Sequence, residues 1–366
     1  MKHYFVIGGG PLQLDFIKTV KSNGLCVHVI DYNKSCIGAS YSDYFHCVSI
    51  DDFDNILELA KKYNPIGIHT VATEQGNITS CYVAERLGLN CNSFNTALDT
   101  TDKSRMKTVL YANNLDTPKA YLVKSKSELM ELKISFPIMV KASDRSAGRG
   151  VTLARNYEEL VVAYNDAFEQ SNNKVVLIEE YFEGQQYSVE TLTSKGKHKI
   201  VAITQMEFSG APYFIEKEHF IPANISEKLH SDIYSYVLKS LDAFKIIVGA
   251  SHIELRVDSN ENIKMIEIAS RMGGWRNWMI NAALGINYCQ AILDATLGKD
   301  INLERTIFNK ISIARTIVSR DDYNKYILEK EMGSEFVVDL VHDHPHKVDI
   351  KNLMDVNGVY VLCKGN

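Results

Sequence analysis

Through roughly the first hundred residues the chain alternates short apolar runs with amphipathic stretches. Tyr4 to Ile7, Val27 to Asp31 and Gly67 to Ala72 read as strands, whereas Leu12 to Ser22 and Phe53 to Tyr63 repeat their apolar positions at helical spacing. That βαβαβ rhythm predicts an open parallel sheet. A helical stretch from Thr101 to Asn114 then runs to Thr117-Pro118, where the chain is expected to leave the first domain. Beyond it the pattern reads strand (Ile138 to Ala142), polar glycine loop (Ser143 to Gly150), strand (Val151 to Ala154), helix (Tyr157 to Glu169) and strand (Val175 to Glu180). More strands, a helix around Ile233 to Phe244 and the densest group of charged residues follow, and the tail from about Lys310 is β-rich. The expected organisation is an N-terminal α/β domain (1–98), a central subdomain with the glycine loop (99–190), a third region (191–305) and a small β-rich cap (306–366).

Composition narrows the function. With 366 residues, 45% of them hydrophobic, the chain can bury a core of several domains, and function is sought at their junctions. Forty basic against 45 acidic residues leave a net charge of -5 and no long basic block, which speaks against nucleic acid and for a small-molecule substrate. No apolar run has membrane-spanning length, and the first residues lead into a strand without the features of a signal peptide. The seven cysteines are scattered and form no CxxC pair, which argues against a disulfide framework or a zinc site and fits reduced thiols in a cytoplasm.

Three constellations carry candidate chemistry. Lys141 ends a buried strand just before Ser146-Ala147-Gly148-Arg149-Gly150, so one positive charge and a set of backbone N–H groups can meet phosphate oxygens. No GxxxxGK[ST] string is present, so this is no P-loop. The plain structural reading is a hairpin whose glycines satisfy turn geometry. Glu179-Glu180-Tyr181 ends a strand and enters a glycine turn, which suits a hinge for a nucleotide base and ribose, although many strands end this way. In the third, two apolar strands joined by a polar turn bring Glu254 and Glu267 side by side, a repulsive pairing unless a cation offsets it or both are solvated.

In this order the pieces resemble the ATP-grasp superfamily, from residue 1 to about 305. The matching elements are Thr101-Asp102-Lys103 with Met106-Lys107, the Pro137 to Lys141 strand, Gly148-Arg149-Gly150, Glu179-Glu180, Tyr187-Ser188-Val189-Glu190, and Glu254 with Glu267-Ile-Ala-Ser-Arg271. The resemblance implies an ATP-grasp fold with a Rossmann-like parallel-sheet domain before it, and a ligase that activates a carboxylate as an acyl phosphate and couples it to an amine. It implies ATP held by Lys103, Lys141, Ser146, Gly148, Arg149 and Gly150, with Glu179, Glu180, Tyr181 and Gln186 at the base and ribose. It also implies one or two magnesium ions, or manganese, on Glu254 and Glu267, and an acyl phosphate held by Arg271 and Arg276. Two positions depart from the pattern: Ala269 stands where many relatives have asparagine, and Gln186 where many have glutamate. Glu216-Lys217-Glu218-His219 and Trp275 are similar to the amino-acid pocket of bacterial L-amino-acid (dipeptide) ligases, which makes Glu216 and His219 candidates to take the amine proton or anchor an amino group.

Rival readings stay open on the residues alone. A purine-precursor or carbamoyl-phosphate type of ligase would use the same ATP site. Gly8-Gly9-Gly10 after the first strand and Asp31 after the second invite a dinucleotide and hence an oxidoreductase, against which Gln13 replaces the third glycine of GxGxxG. A silent nucleotide-binding module is the third alternative. His342-Asp343-His344-Pro345-His346 is read as a solvated loop, not a metal site, and a homodimer is the default assembly.

Overall fold

The computed structural model describes residues 1–342, 347 and 349–365. Of the histidine run, Asp343, His344, Pro345 and His346 lie outside the described residues. Among the described residues sixteen strands form three sheets. The first holds β1 (His3–Ile7), β2 (Cys26–Asp31), β3 (Tyr44–Cys47) and β4 (Gly67–His69) in the order β3-β2-β1-β4, with every pairing parallel. β1 and β2 are almost wholly buried, as near-continuous apolar runs require in a sheet covered on both faces. Helices Leu14–Ser22, Phe53–Tyr63 and Glu74–Arg86 accompany this sheet. The short β3 and the helix beginning at Glu74 are additions to what the apolar pattern predicted.

The second sheet is antiparallel, β5 (Ala120–Val123), β6 (Ile138–Ala142), β7 (Val151–Ala154) and β8 (Val176–Glu180) in the order β5-β8-β6-β7. Helix Tyr157–Gln170 packs Leu160, Ala163, Tyr164 and Ala167 against it. The third sheet has eight strands: β9 (Gln185–Ser194), β10 (Lys197–Phe208), β11 (Glu216–Ile221), β12 (Gly249–Val257), β13 (Ile263–Ala269), β14 (Lys310–Thr316), β15 (Glu335–Asp339) and β16 (Val359–Gly365). Its order is β13-β12-β9-β10-β11-β14-β16-β15. The β-rich tail is therefore continuous with this sheet, because β14 pairs with β11 from Glu218↔Arg315 to Ile221↔Ser312.

Alternation along β9, β12 and β13 sorts side chains by face. Ile253, Leu255 and Val257 join Val189, Tyr187 and Ile268 in a core shared with helix Glu227–Ala243. The opposite face of the same strands is polar and lines the cavity described next.

Candidate active site

One cavity of about 530 Å³ opens where the three sheets meet. The first sheet contributes Leu12, Ala72, Thr73 and Glu74, from the loops that follow the carboxyl ends of β1 and β4, where open α/β sheets bind ligands. The second contributes Met139, Lys141, Val151, Glu179 and Glu180 together with the loop residues Arg145 to Gly148. The third contributes Gln186, Phe208, Glu216, His252, Glu254, Arg256, Ile266, Glu267 and Ala269. Lys103, Arg271, Trp275 and Arg276 complete its charged and aromatic wall, and Leu353 and Met354 reach it from the tail.

The glycine loop takes its shape from three special positions. Ala147, Gly148 and Gly150 have positive φ values of 59°, 73° and 66°, and at Gly150 a Cβ would stand 3.0 Å from that of Ala142. Ala147 O accepts a bond from Leu353 N at 3.1 Å, which ties the loop to the tail.

Register explains the carboxylate pair. Glu254 lies directly opposite Glu267 across β12 and β13, and on its other side opposite Ser188 of β9. Gln186 Nε2 donates to Glu254 Oε2 at 2.7 Å, and His252 Nε2 lies 3.3 Å from Glu254 Oε1. Burial works to raise the Glu254 carboxyl, and the His252 hydrogen bond and charge with the charge of Arg276 override it, holding it at about 2. Lys103 Nζ sits 3.3 Å from Glu267 Oε2 and donates to Arg145 O at 2.7 Å. The two carboxylates thus face each other with positive groups on either flank. A pair of hard oxygen donors beside Lys103 fits magnesium, and Ala269 offers no third side-chain oxygen.

His252 is a residue the motif reading passed over. It lies opposite Glu190 on one side and Ala269 on the other. Burial would lower its pKa, but ion pairing with the fully buried Glu190 and with Glu254 pushes it up to about 9, so it is an imidazolium at neutral pH. Glu190 also accepts from Gly273 N at 3.2 Å and lies 3.6 Å from Arg276 Nε. Period-two polarity in His252-Ile-Glu-Leu-Arg256 was the available signal for His252 and Arg256 as partners of Glu254 on one face.

Arg271 binds Glu74 through Nε at 3.1 Å and through a second, shorter contact, and donates to Met272 O at 3.0 Å. Burial works against the Glu74 charge, and Arg271 overrides it, holding that carboxyl at about 2. Of five guanidinium N–H groups these bonds use three, and Arg271 lines the cavity. Arg276 is committed elsewhere: NH1 donates to His219 Nδ1 at 2.8 Å and NH2 to Ser188 Oγ at 3.0 Å. His219 Nε2 in turn lies 3.0 Å from Glu216 Oε2. Burial and the neighbouring Arg276 charge lower the His219 pKa, so the ring is neutral and orients Glu216.

Several predicted contacts sit differently. The Glu179 carboxylate, 1% exposed, is held between Lys107 and Lys141 and is not free to bind a ribose, whereas Glu180 is exposed at the cavity edge. Lys107, part of the motif but given no role from sequence, is therefore the second cation of that buried cluster. Arg149 turns back on its own loop, with Nε donating to Ser146 O at 3.0 Å and NH2 lying 3.2 Å from Ser146 Oγ, and it does not line the cavity. Gly150, Tyr181 and His219 are also absent from the lining. Tyr181 stacks with Phe214 at 5.8 Å, and Arg256 lies 5.3 Å from its ring centroid. Gln186 Oε1 accepts from Arg256 Nε at 3.1 Å, so Gln186 bridges Arg256 to Glu254. Gly8 to Gly10 form a turn in which Gly9 N donates to Asp31 Oδ2 at 2.8 Å, which occupies a carboxylate oxygen that a dinucleotide ribose would need.

Residues 134–278 match the family description "ATP-grasp domain". An L-amino acid ligase from Bacillus licheniformis superimposes with a TM-score of 0.81 at 19% identity, covering 100% of this chain and 94% of that one. In sequence, the L-arginine-specific L-amino acid ligase of Bacillus subtilis is 22% identical over 307 residues, covering 80% of this chain and 74% of that protein. The carbamoyl phosphate synthase large chain of Clostridium perfringens is 26% identical over 262 residues, covering 65% of this chain. This chain matches only 24% of the length of that large chain. Among the described residues no helix is long and apolar enough to cross a membrane.

Proposed function

We propose that the chain is an ATP-dependent ligase that converts a carboxylate, an amino acid in the favoured reading, to an acyl phosphate and joins it to an amine, releasing ADP and phosphate. The observation that carries this reading is the convergence, in one cavity, of Lys103, Lys141, the glycine loop, the Glu254/Glu267 pair and Arg271. ATP is placed against the second sheet, its phosphates facing Lys103, Lys141 and the N–H groups of Ser146 to Gly148. Glu254 and Glu267 would hold magnesium, which when bound offsets phosphate charge. The substrate carboxylate attacks the γ-phosphorus and ADP departs, a step that asks for positioning and charge neutralisation and needs no protein nucleophile. Lys103, freed from Glu267, and Arg271 neutralise the transferring group.

The amine then attacks the acyl carbon and phosphate leaves. Glu216, lining the cavity and oriented by neutral His219, is placed to take the amine proton. The supporting features for an amino-acid substrate are the Glu216, His219, Trp275 and Arg276 cluster and the L-amino acid ligase relatives. An oxygen-18 label on the substrate carboxylate tests the acyl phosphate directly. The expected result is one label transferred to the released phosphate per turnover; phosphate free of label would remove the proposed intermediate.

A further inference from the structure

A second group of metal-binding side chains lies on the first sheet, away from the cavity. β1 and β2 run parallel with His3 opposite Cys26, and Cys26 and His28 are two residues apart, so alternation places all three on one face. Their ligand atoms lie within 4.8 Å of one another. His3 Nδ1 is 2.8 Å from His28 Nε2, and Cys26 Sγ is 3.9 Å from the same nitrogen. A tetrahedral zinc ion with imidazole nitrogens at about 2.0–2.1 Å and a thiolate at about 2.3 Å sets neighbouring donors roughly 3.3–3.6 Å apart. These two separations bracket that spacing and the third, between His3 and Cys26, lies within 4.8 Å, so the donors would have to shift by up to about an ångström.

The surroundings are those of a ligand set held from outside. His28 Nδ1 lies 2.9 Å from His46 Nε2, the outer hydrogen bond that fixes a metal-binding imidazole and leaves Nε2 facing inward. Tyr44 stacks on the His28 ring at 4.6 Å and Phe5 lies at 4.6 Å, which locks its orientation. Burial, helped by the neighbouring His46 and His3, pushes the His28 pKa down to about 4, so the ring carries no competing charge at neutral pH. His28 and Cys26 are buried while His3 is half-buried, the most solvent-exposed of the three.

We infer that His3, Cys26 and His28 form a binding site for a borderline-soft divalent cation of the zinc class, with water as the fourth ligand. The cation takes the place of the proton now lying between His3 and His28. That proton moves through solvent to the outward nitrogen of His3, His28 keeps its own toward His46, and the one net proton released is that of the Cys26 thiol. β1 runs from His3 to Ile7, roughly 13 Å, before the loop that carries Leu12 of the cavity lining, so the ion would tie β1 to β2 without entering the ligase chemistry. Residue spacing concealed the set, because two of the ligands sit on one strand and the third comes from its neighbour.

The test is titration of tag-free, chelator-treated full chain with cobalt(II), read by absorbance. One equivalent is expected to give a thiolate-to-cobalt charge-transfer band that zinc displaces and excess magnesium leaves unchanged. Cys26→Ser should abolish the band, and His3→Ala, at a half-buried strand start, should weaken cobalt binding by at least about tenfold, since even outer partners of metal ligands matter that much. Circular dichroism and the melting temperature of both variants establish that they are folded. A wild-type protein without a thiolate band, or a band that persists unchanged in the two folded variants, would overturn the site.

Discussion

Two buried histidines in this molecule stand in different protonation states, and the difference lies in their partners. His252 sits between Glu190 and Glu254 on the polar face of the third sheet and is held protonated, with a pKa pushed up to about 9. His28 sits between His3 and His46 on the first sheet and is held neutral, with a pKa near 4. Burial disfavours the charged form of both; two carboxylates override it at His252, whereas at His28 the neighbouring imidazoles His46 and His3 reinforce it against the weaker pull of Asp43. The cavity is accordingly a mosaic of opposed charges, which the proposed polyphosphate-bearing substrate would meet. The β1–β2 face is an uncharged aromatic and imidazole cluster arranged for a soft ligand.

The largest effect is expected where the charged mosaic meets the chemistry. Glu267→Gln leaves Lys103 without its 3.3 Å partner and removes one of two facing carboxylates, and ADP release should fall by at least about 100-fold with the fold intact. Near-normal turnover would show that the pair does not serve the reaction. Next in size, Glu190→Gln strips the buried counter-charge from His252 and Arg276. Denaturant unfolding should show a loss of about 3–5 kcal/mol, the cost of uncompensated buried charge, and NMR titration should show the His252 pKa falling.

His28→Phe sharpens the contrast from the other side. No charge pair is lost and the aromatic stack is kept, so the same unfolding experiment should register less than about 1.5 kcal/mol. A loss as large as that of Glu190→Gln would mean that the β1–β2 cluster is not the neutral one described. The smallest effects are in the pH profile of stability. Because the His252 pKa is raised above its ordinary 6.5, its contribution is complete below that value and lost as pH rises through about 9. Because that of His28 is lowered, the unfolded chain takes up a proton before the folded one does, and stability falls as pH drops from 6.5 toward 4. His252→Gln should flatten the alkaline limb and His28→Phe the acid limb; limbs unchanged by either substitution would contradict both assignments.

Which features were legible in the sequence follows from how local their signal is. The βαβ rhythm, the glycine loop and the Glu254 and Glu267 hairpin are written in consecutive residues, and all are present in the structure. The second role of β9 was not legible, because Glu190, Ser188 and Gln186 acquire their meaning only through register with His252, Glu254 and Arg256. Glu179 shows the opposite case: its place at a strand end suggested a nucleotide contact, but the carboxylate is drawn between Lys107 and Lys141, which come from two other elements. Arg149 likewise had the right type and position, and its loop geometry turned it back on Ser146. Cys26 with His3 needed the parallel pairing of two strands 23 residues apart.

The most direct test of the ligase reading is a matrix of the twenty L-amino acids, singly and in pairs, with ATP and magnesium, following ADP, phosphate and product mass together. The account predicts that ADP and phosphate appear in equal amounts only when a carboxylate and an amine are both present, with a product whose mass is their sum less one water. ATP turnover that is indifferent to every added carboxylate and amine, with no condensed product, would contradict it.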